Sequence, residues 1–284
     1  MINSLTLALT LGVRNDSYHE FWGKQMPTLE TGDVRLHYEQ SGAVNGPVLV
    51  LSNSLGSNLH MWDRVLPSLE KTLWILRYDT RGHGQSSVPP APYSIEQLGG
   101  DLLLLMDHLS IDRAHLCGLS LGGLVSQWLG IYAPERFERL IFANTAARIG
   151  TRDGWEQRIA MVQSSGMDGL ALQTVERWLT PAYREQHPAE AETIHQMLAA
   201  TNPAGYCGCC AVLRDTDLRG EIATIEAPCL VITGTHDPAT PPSDGRAIHS
   251  ALRDSSFVEF DSAHLSAWEK AEEFAGAVLA FLRT

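Results

Sequence analysis

The sequence predicts an α/β fold: a mostly parallel central sheet flanked by helices, with a helical cap inserted past its middle. Three observations point there. Short continuous apolar runs, the mark of strands buried on both faces, alternate with longer stretches of helical periodicity. After Asn144 the alternation stops, and residues 145–220 carry helical patterns without a convincing buried strand. It resumes at Pro228 and runs to the C-terminus. The chain therefore divides into a core over 26–144 and 221–284, a cap over 145–220, and an N-terminal extension over 1–25 outside the core. Met26-Pro27-Thr28-Leu29-Glu30 would itself serve as a start.

The elements follow in order. Val34-Arg35-Leu36-His37-Tyr38-Glu39 alternates apolar and polar residues, as an outer antiparallel strand does. Pro47-Val48-Leu49-Val50-Leu51-Ser52 is a continuous apolar run and reads as a fully buried strand. Residues 73–79 give the next strand. A helix over 94–109 places Leu102, Leu105, Met106 and Leu109 on one stripe. Ala114-His115-Leu116-Cys117 is a strand, the pattern from Leu121 to Leu129 a helix, and residues 138–143 another strand. Beyond the cap come strands over 228–234 and 256–260, then a single last helix over 265–282.

Composition excludes several classes. A formal charge of −12 argues against a nucleic-acid partner and requires any anionic substrate to meet a local cation. No apolar run approaches the roughly 18 residues of a membrane span, and the apolar stretch over 5–11 lacks the basic residues that open a signal peptide. Five cysteines do not make a secreted disulfide framework, so free thiols in a cytoplasmic setting are expected. Cys207, Cys209 and Cys210 invite a metal reading. No second Cys or His pair stands at zinc-ligand spacing, so they read as small buried apolar residues, and no metal or cofactor is expected.

The chemistry centres on Gly118-Leu119-Ser120-Leu121-Gly122, set between a predicted strand and a predicted helix. A serine on such a turn projects its hydroxyl into a cleft, and the flanking glycines let strand and helix approach closely. A serine hydroxyl needs a base, and the base an orienting acid. In hydrolases with this elbow the order is Ser, Asp or Glu, then His. Asp237 follows the 228–234 strand, and His264 follows the strand ending near Phe260. His236 precedes its own acid and His83 precedes the serine, so neither fits the order; Asp254 and Asp261 are the rival acids. The Leu121 N–H is one oxyanion donor, and the loop Asn53-Ser54-Leu55-Gly56 supplies the other at Leu55.

With these residues the chain resembles the α/β-hydrolase superfamily and, more narrowly, the 3-oxoadipate enol-lactonase family. The motifs that carry the resemblance are Asn53-Ser54-Leu55-Gly56 with Met61-Trp62-Asp63, Arg77-Tyr78-Asp79-Thr80-Arg81-Gly82-His83-Gly84, and the elbow. Two more lie around the cap: Ala143 to Gly150 with Trp155, and Gly205-Tyr206-Cys207-Gly208-Cys209-Cys210 with Leu213-Arg214-Asp215. These two are the specific ones, because caps diverge fastest between hydrolase families. The resemblance covers residue 26 to the C-terminus. Most relatives have His-Gly where this chain has Asn53-Ser54.

The resemblance implies a serine hydrolase opening a five-membered enol-lactone that bears a carboxymethyl group, in aromatic-compound catabolism. The partner is then a small carboxylated lactone, and the oligomeric state stays open. Arg148 is the first candidate for the substrate carboxylate and Arg158 the second; a surface salt bridge is the competing reading for Arg148. Trp155 and Trp128 would wall a planar lactone, with plain core packing as the alternative for Trp128. Asn53 and Ser54 would line the pocket floor. The rivals are a carboxylesterase, a carbon–carbon hydrolase of ring-cleavage products, a perhydrolase, and a non-enzymatic ligand receptor on the same scaffold. A haloalkane dehalogenase is excluded, because that chemistry needs a carboxylate at position 120.

Overall fold

A computed structural model describes residues 27–283; the expectations for residues 1–25 and for a start at Met26 lie outside the described residues. Eight strands form one sheet: β1 (Thr28–Glu30), β2 (Arg35–Gly42), β3 (Val48–Ser52), β4 (Trp74–Tyr78), β5 (Ala114–Leu119), β6 (Phe137–Ala143), β7 (Cys229–Gly234) and β8 (Ser255–Phe260). Their spatial order is β1-β2-β4-β3-β5-β6-β7-β8. β1 pairs with β2, and β2 with β4, antiparallel; every later pairing is parallel. The three-residue β1 was not among the predicted strands. It is too short to show a period.

Helices α1 (Leu66–Leu69), α2 (Ile95–His108) and α3 (Leu121–Tyr132) fall within the first six strands. Ser94 caps α2 through a capping box with Gln97, which fixes the start that the sequence predicts. Five helices lie between β6 and β7: α4 (Arg152–Ser165), α5 (Asp168–Trp178), α6 (Pro181–Gln186), α7 (Pro188–Ala199) and α8 (Pro203–Asp215). The rest are α9 (Pro242–Ala251), α10 (Ser266–Glu269) and α11 (Ala271–Leu282). The single helix expected over 265–282 is thus two, broken at Lys270 (φ −124°, ψ 46°). The break has a visible use. The short α10 turn presents the Glu269 carboxylate to the Thr180 and Ala263 N–H groups, while α11 buries Phe274 and Val278 in the core.

The continuous apolar strands are buried on both faces, and alternate residues divide between two cores. Val50, Leu116, Phe142 and Val231 pack on one side of the sheet, with Tyr78 and Leu124. Leu51, Cys117, Ile141 and Ile232 pack on the other, with Trp62 and Phe274. The chain runs outward from β3 to β4 and then returns to place β5 on the opposite side of β3. That reversal opens a crevice at the carboxyl ends of β3 and β5, where ligands settle in open α/β sheets. The loop after Ser52 and the turn at Ser120 both emerge there. Among the described residues no helix is long and apolar enough to cross a membrane.

Candidate active site

Ser120 stands between the last residue of β5 and the first of α3 with φ 58° and ψ −114°, a conformation that a residue with a side chain adopts only under constraint. The constraint is a set of hydrogen bonds. Ser120 N–H donates to Ala143 O at 3.0 Å, and its carbonyl accepts from Thr145 Oγ1 at 2.8 Å and from Leu124 N–H at 3.0 Å. The flanking glycines are sterically required. A Cβ at Gly118 would lie 2.1 Å from Gly122 O, and one at Gly122 would lie 2.1 Å from Ser52 O.

Asp237 follows β7 and His264 follows β8. His264 Nδ1 donates to Asp237 Oδ2 at 2.8 Å, which leaves Nε2 as the basic nitrogen. Both residues are buried, and the ring of Trp178 lies against the imidazole with centroids 5.8 Å apart. Asp237 accepts five hydrogen bonds in all: from His264, from Asn144 Nδ2 at 3.1 Å, from Thr240 Oγ1 at 2.8 Å, and from the Ala239 and Thr240 N–H groups. Burial alone would raise its pKa. The His264 charge and these donors outweigh burial and hold the carboxyl below its usual range.

Asn144 is the residue that sequence reasoning missed here. It sits just past β6 with φ 43°; its amide nitrogen also reaches Ala263 O, and its Oδ1 accepts from Ser266 Oγ. One side chain thereby ties the acid to the loop that delivers the base. The available signal was an asparagine directly after a buried strand, a residue type tolerant of the left-handed region.

The loop after β3 reaches the same cleft through Ser54 and Leu55. Ser54 N–H donates to Met61 Sδ, Gly56 N–H to His83 Nε2 at 3.0 Å, and Gly122 N–H to Asn53 O at 2.9 Å. Among the described residues the N–H groups of Leu55 and Leu121 donate to no protein acceptor; Leu55 lines the cleft around Ser120, and Leu121 directly follows Ser120 as the first residue of α3. His83 is held as the tautomer that donates from Nδ1 to Arg81 O at 3.2 Å and accepts at Nε2; its burial pushes the pKa below the usual histidine value. From the other side, Thr201 Oγ1 donates to Gly56 O at 2.8 Å. Gly56, the residue after Leu55, is therefore held at both its N–H and its carbonyl.

Ser54, Leu55, Ser120 and His264 open onto one cavity of about 300 Å³, closed from above by Trp155, Arg158, Thr174, Arg177, Trp178, Tyr206 and Leu213 of α4, α5 and α8. This lies at the small end of the range for ligand sites. Arg158 Nη1 donates to Tyr206 Oη at 3.3 Å, and its guanidinium lies 5.9 Å from the Trp155 ring centre. Arg177 makes no hydrogen bond or ion pair among the described residues. Partial burial and then the neighbouring Arg158 charge pull the Arg177 pKa below its ordinary value. Two like charges thus line the cavity with no carboxylate among its lining residues, although the Asp237 charge attracts Arg177.

Three expected substrate contacts lie elsewhere. Arg148 is outside the cavity lining and pairs with Asp217 at 3.2 Å, whose pKa Arg219 first and Arg148 second help hold at about 2. Trp128 packs against Gly99 on α2 and stacks on Tyr132 at 5.1 Å, on the far face of α3. Asn53 is committed to the scaffold: Nδ2 donates to Tyr78 O and Oδ1 accepts from Trp62 Nε1. Ser54, Trp155 and Arg158 do reach the cavity, and Arg177 joins them unannounced by any sequence motif. Cys207, Cys209 and Cys210 are buried free thiols on α8, each raised in pKa by burial. Among the described residues no group of three His, Cys, Asp or Glu side chains is arranged to hold a metal ion.

Comparison with known proteins gives the family of the chain. A family model described as alpha/beta hydrolase fold matches residues 47–271. A protein named 3-oxoadipate enol-lactonase 2 from Acinetobacter baylyi is 40% identical over 256 residues, 90% of this chain and 96% of that one. The same organism's 3-oxoadipate enol-lactonase 1 is 37% identical, over 88% of this chain and 93% of its own. Among solved structures, a crystal structure of the enol-lactonase from Burkholderia xenovorans has a TM-score of 0.89 at 42% identity, covering 91% of this chain and all of that one.

Proposed function

The chain belongs to the α/β-hydrolase family, and from that premise we propose that it opens 3-oxoadipate enol-lactone to 3-oxoadipate in aromatic-compound catabolism. The observation that carries this reading is the unneutralised pair Arg158 and Arg177 facing the same cavity as Ser120, in a chain of net charge −12. A neutral ester has no use for two cations without an ion-pair partner. A carboxymethyl lactone has one, because its carboxylate sits a few bonds from the reacting carbonyl. The chain-long similarity to enol-lactonases supports the same substrate.

Ser120 Oγ attacks the lactone carbonyl while His264 Nε2 takes its proton, and Asp237 holds the resulting imidazolium through Nδ1. The negative charge on the carbonyl oxygen goes to the Leu55 and Leu121 N–H groups, which are fixed in place before the charge develops. Collapse of the tetrahedral species breaks the ring C–O bond and expels an enolate oxygen. An enolate is a good leaving group, so this step needs little acid assistance; the His264 imidazolium gives its proton to the departing oxygen, which leaves an enol and a neutral His264. His264 then takes a proton from water, the hydroxide attacks the acyl carbon, and Ser120 departs with the proton. The freed enol tautomerises to the ketone. No step calls for a metal or cofactor.

Residues 145–220 act in this reading as the cap that excludes water and selects the substrate. The five free, buried cysteines suit a cytoplasmic setting. The test is to generate the enol-lactone in situ and follow its disappearance beside a panel of neutral esters. A kcat/KM at least about 100-fold higher for the lactone is expected from charge-assisted carboxylate binding. Equal efficiency on neutral esters would replace the lactonase with a general carboxylesterase.

A further inference from the structure

Ser54 lines the cavity beside Ser120 and His264 and is 2% exposed, yet its Oγ has no hydrogen-bond partner among the described residues. Within its own loop, the Leu55 N–H apart, the neighbouring polar groups are committed elsewhere. Its own N–H goes to Met61 Sδ, its carbonyl accepts from Ser57 Oγ at 2.8 Å, and the Asn53 amide is held by Tyr78 and Trp62. Other orphaned buried atoms, such as His37 Nε2 and Gln127 Oε1, belong to residues outside the cavity. A buried hydroxyl without a partner destabilises the resting protein. A buried hydroxyl that finds no partner in the resting protein is free to take one that arrives during the reaction.

We propose that Ser54 Oγ is a catalytic residue, the third donor to the oxyanion formed when Ser120 attacks a carbonyl. Ser54 immediately precedes Leu55, whose N–H donates to no acceptor among the described residues, and a serine hydroxyl turns between staggered positions about one bond. Turning breaks no bond, because none is made in the resting enzyme. The hydroxyl therefore gains its hydrogen bond only as charge develops, the kind of interaction that raises kcat without tightening ground-state binding. The inference rests on the reading that Ser120 attacks a carbonyl, and not on which lactone enters.

Ser54→Ala and Ser54→Gly, assayed on the enol-lactone and on a neutral aryl ester with thermal melts alongside, test it. Both variants should lose about 10- to 100-fold in kcat on both substrates, toward the lower end of what one oxyanion donor contributes. KM should stay within about twofold, and the melting temperature should hold or rise, because an unsatisfied hydroxyl has been removed. Wild-type kcat in the folded variants overturns the proposal. So does a loss confined to the lactone, which would make Ser54 a substrate-carboxylate contact, and so does a lowered melting temperature or failure of both variants to fold. A wild-type protein active on the aryl ester but not on the lactone would sink the lactone reading alone, with the Ser54 comparison still decided on the ester.

Discussion

The floor of the cavity and its roof are built by opposite rules. On the floor, Asp237 accepts five hydrogen bonds, His264 is tied to it, and the strained Ser120 peptide is bonded on both sides. On the roof, Arg158 touches only a tyrosine hydroxyl and the face of Trp155, and Arg177 bonds to nothing among the described residues. The floor is preorganised for a transition state that every ester hydrolysis shares. The roof holds charge in reserve for one kind of ligand. Rate and selectivity should therefore separate by layer.

The sharpest way to break that separation is at the floor. Ser120→Ala and His264→Ala should each lower kcat at least roughly 10³-fold, on lactone and neutral ester alike, as triad members do. Near-wild-type turnover in either variant, measured at saturating substrate, would remove the nucleophile or the base from the scheme.

Changes in the roof should show as KM. Arg158→Ala and Arg177→Ala should each raise KM for the carboxylated lactone about 10- to 100-fold, the range for one charge-assisted contact, and change a neutral ester by less than about threefold. Arg148→Ala, whose guanidinium already pairs with Asp217, should leave both substrates near wild type. Steady-state kinetics on the paired substrates would show whether the roof selects or merely supports.

A smaller effect is expected from Asn144→Ala, about tenfold in kcat with KM unchanged, because the triad loses a tether and not a member. The sign of its pH effect follows from Asp237. That carboxyl is held below its usual pKa partly by the Asn144 amide, so removing the amide raises it, and the part of the acid limb of kcat that comes from protonating Asp237 should move to higher pH. An unmoved acid limb would place Asn144 outside the catalytic electrostatics.

Legibility in the sequence tracks this division. The floor was readable because local constraints write themselves locally. The elbow needs glycines on both sides of Ser120, its strand needs a continuous apolar run, and acid and base follow later strands in a fixed order. The roof was readable only in part, at Trp155 and Arg158, because a cation's role depends on what stands opposite it. Arg148 met Asp217, 69 positions away, and left the site; Arg177, on a helix with an ordinary polar face, entered it. Trp128 looked like Trp155 as a residue type and was assigned to α2 by the bare backbone of Gly99. The break at Lys270 was invisible for a related reason. Apolar spacing continues across it with no glycine or proline, and only the long-range pull of Thr180 and Ala263 on Glu269 shows its purpose.

The Gly56 peptide, gripped by His83 from the sheet side and by Thr201 from between α7 and α8, makes the two layers less separable than their chemistry suggests. Anyone recombining this scaffold with another hydrolase's helices, in search of a new specificity, would be exchanging part of the catalytic frame as well. A transplanted segment without a hydroxyl at position 201 arrives with its own selectivity and a slackened hinge beside Leu55. The junction that matters for such a chimaera is one carbonyl in the loop after β3, far from either end of the exchanged segment.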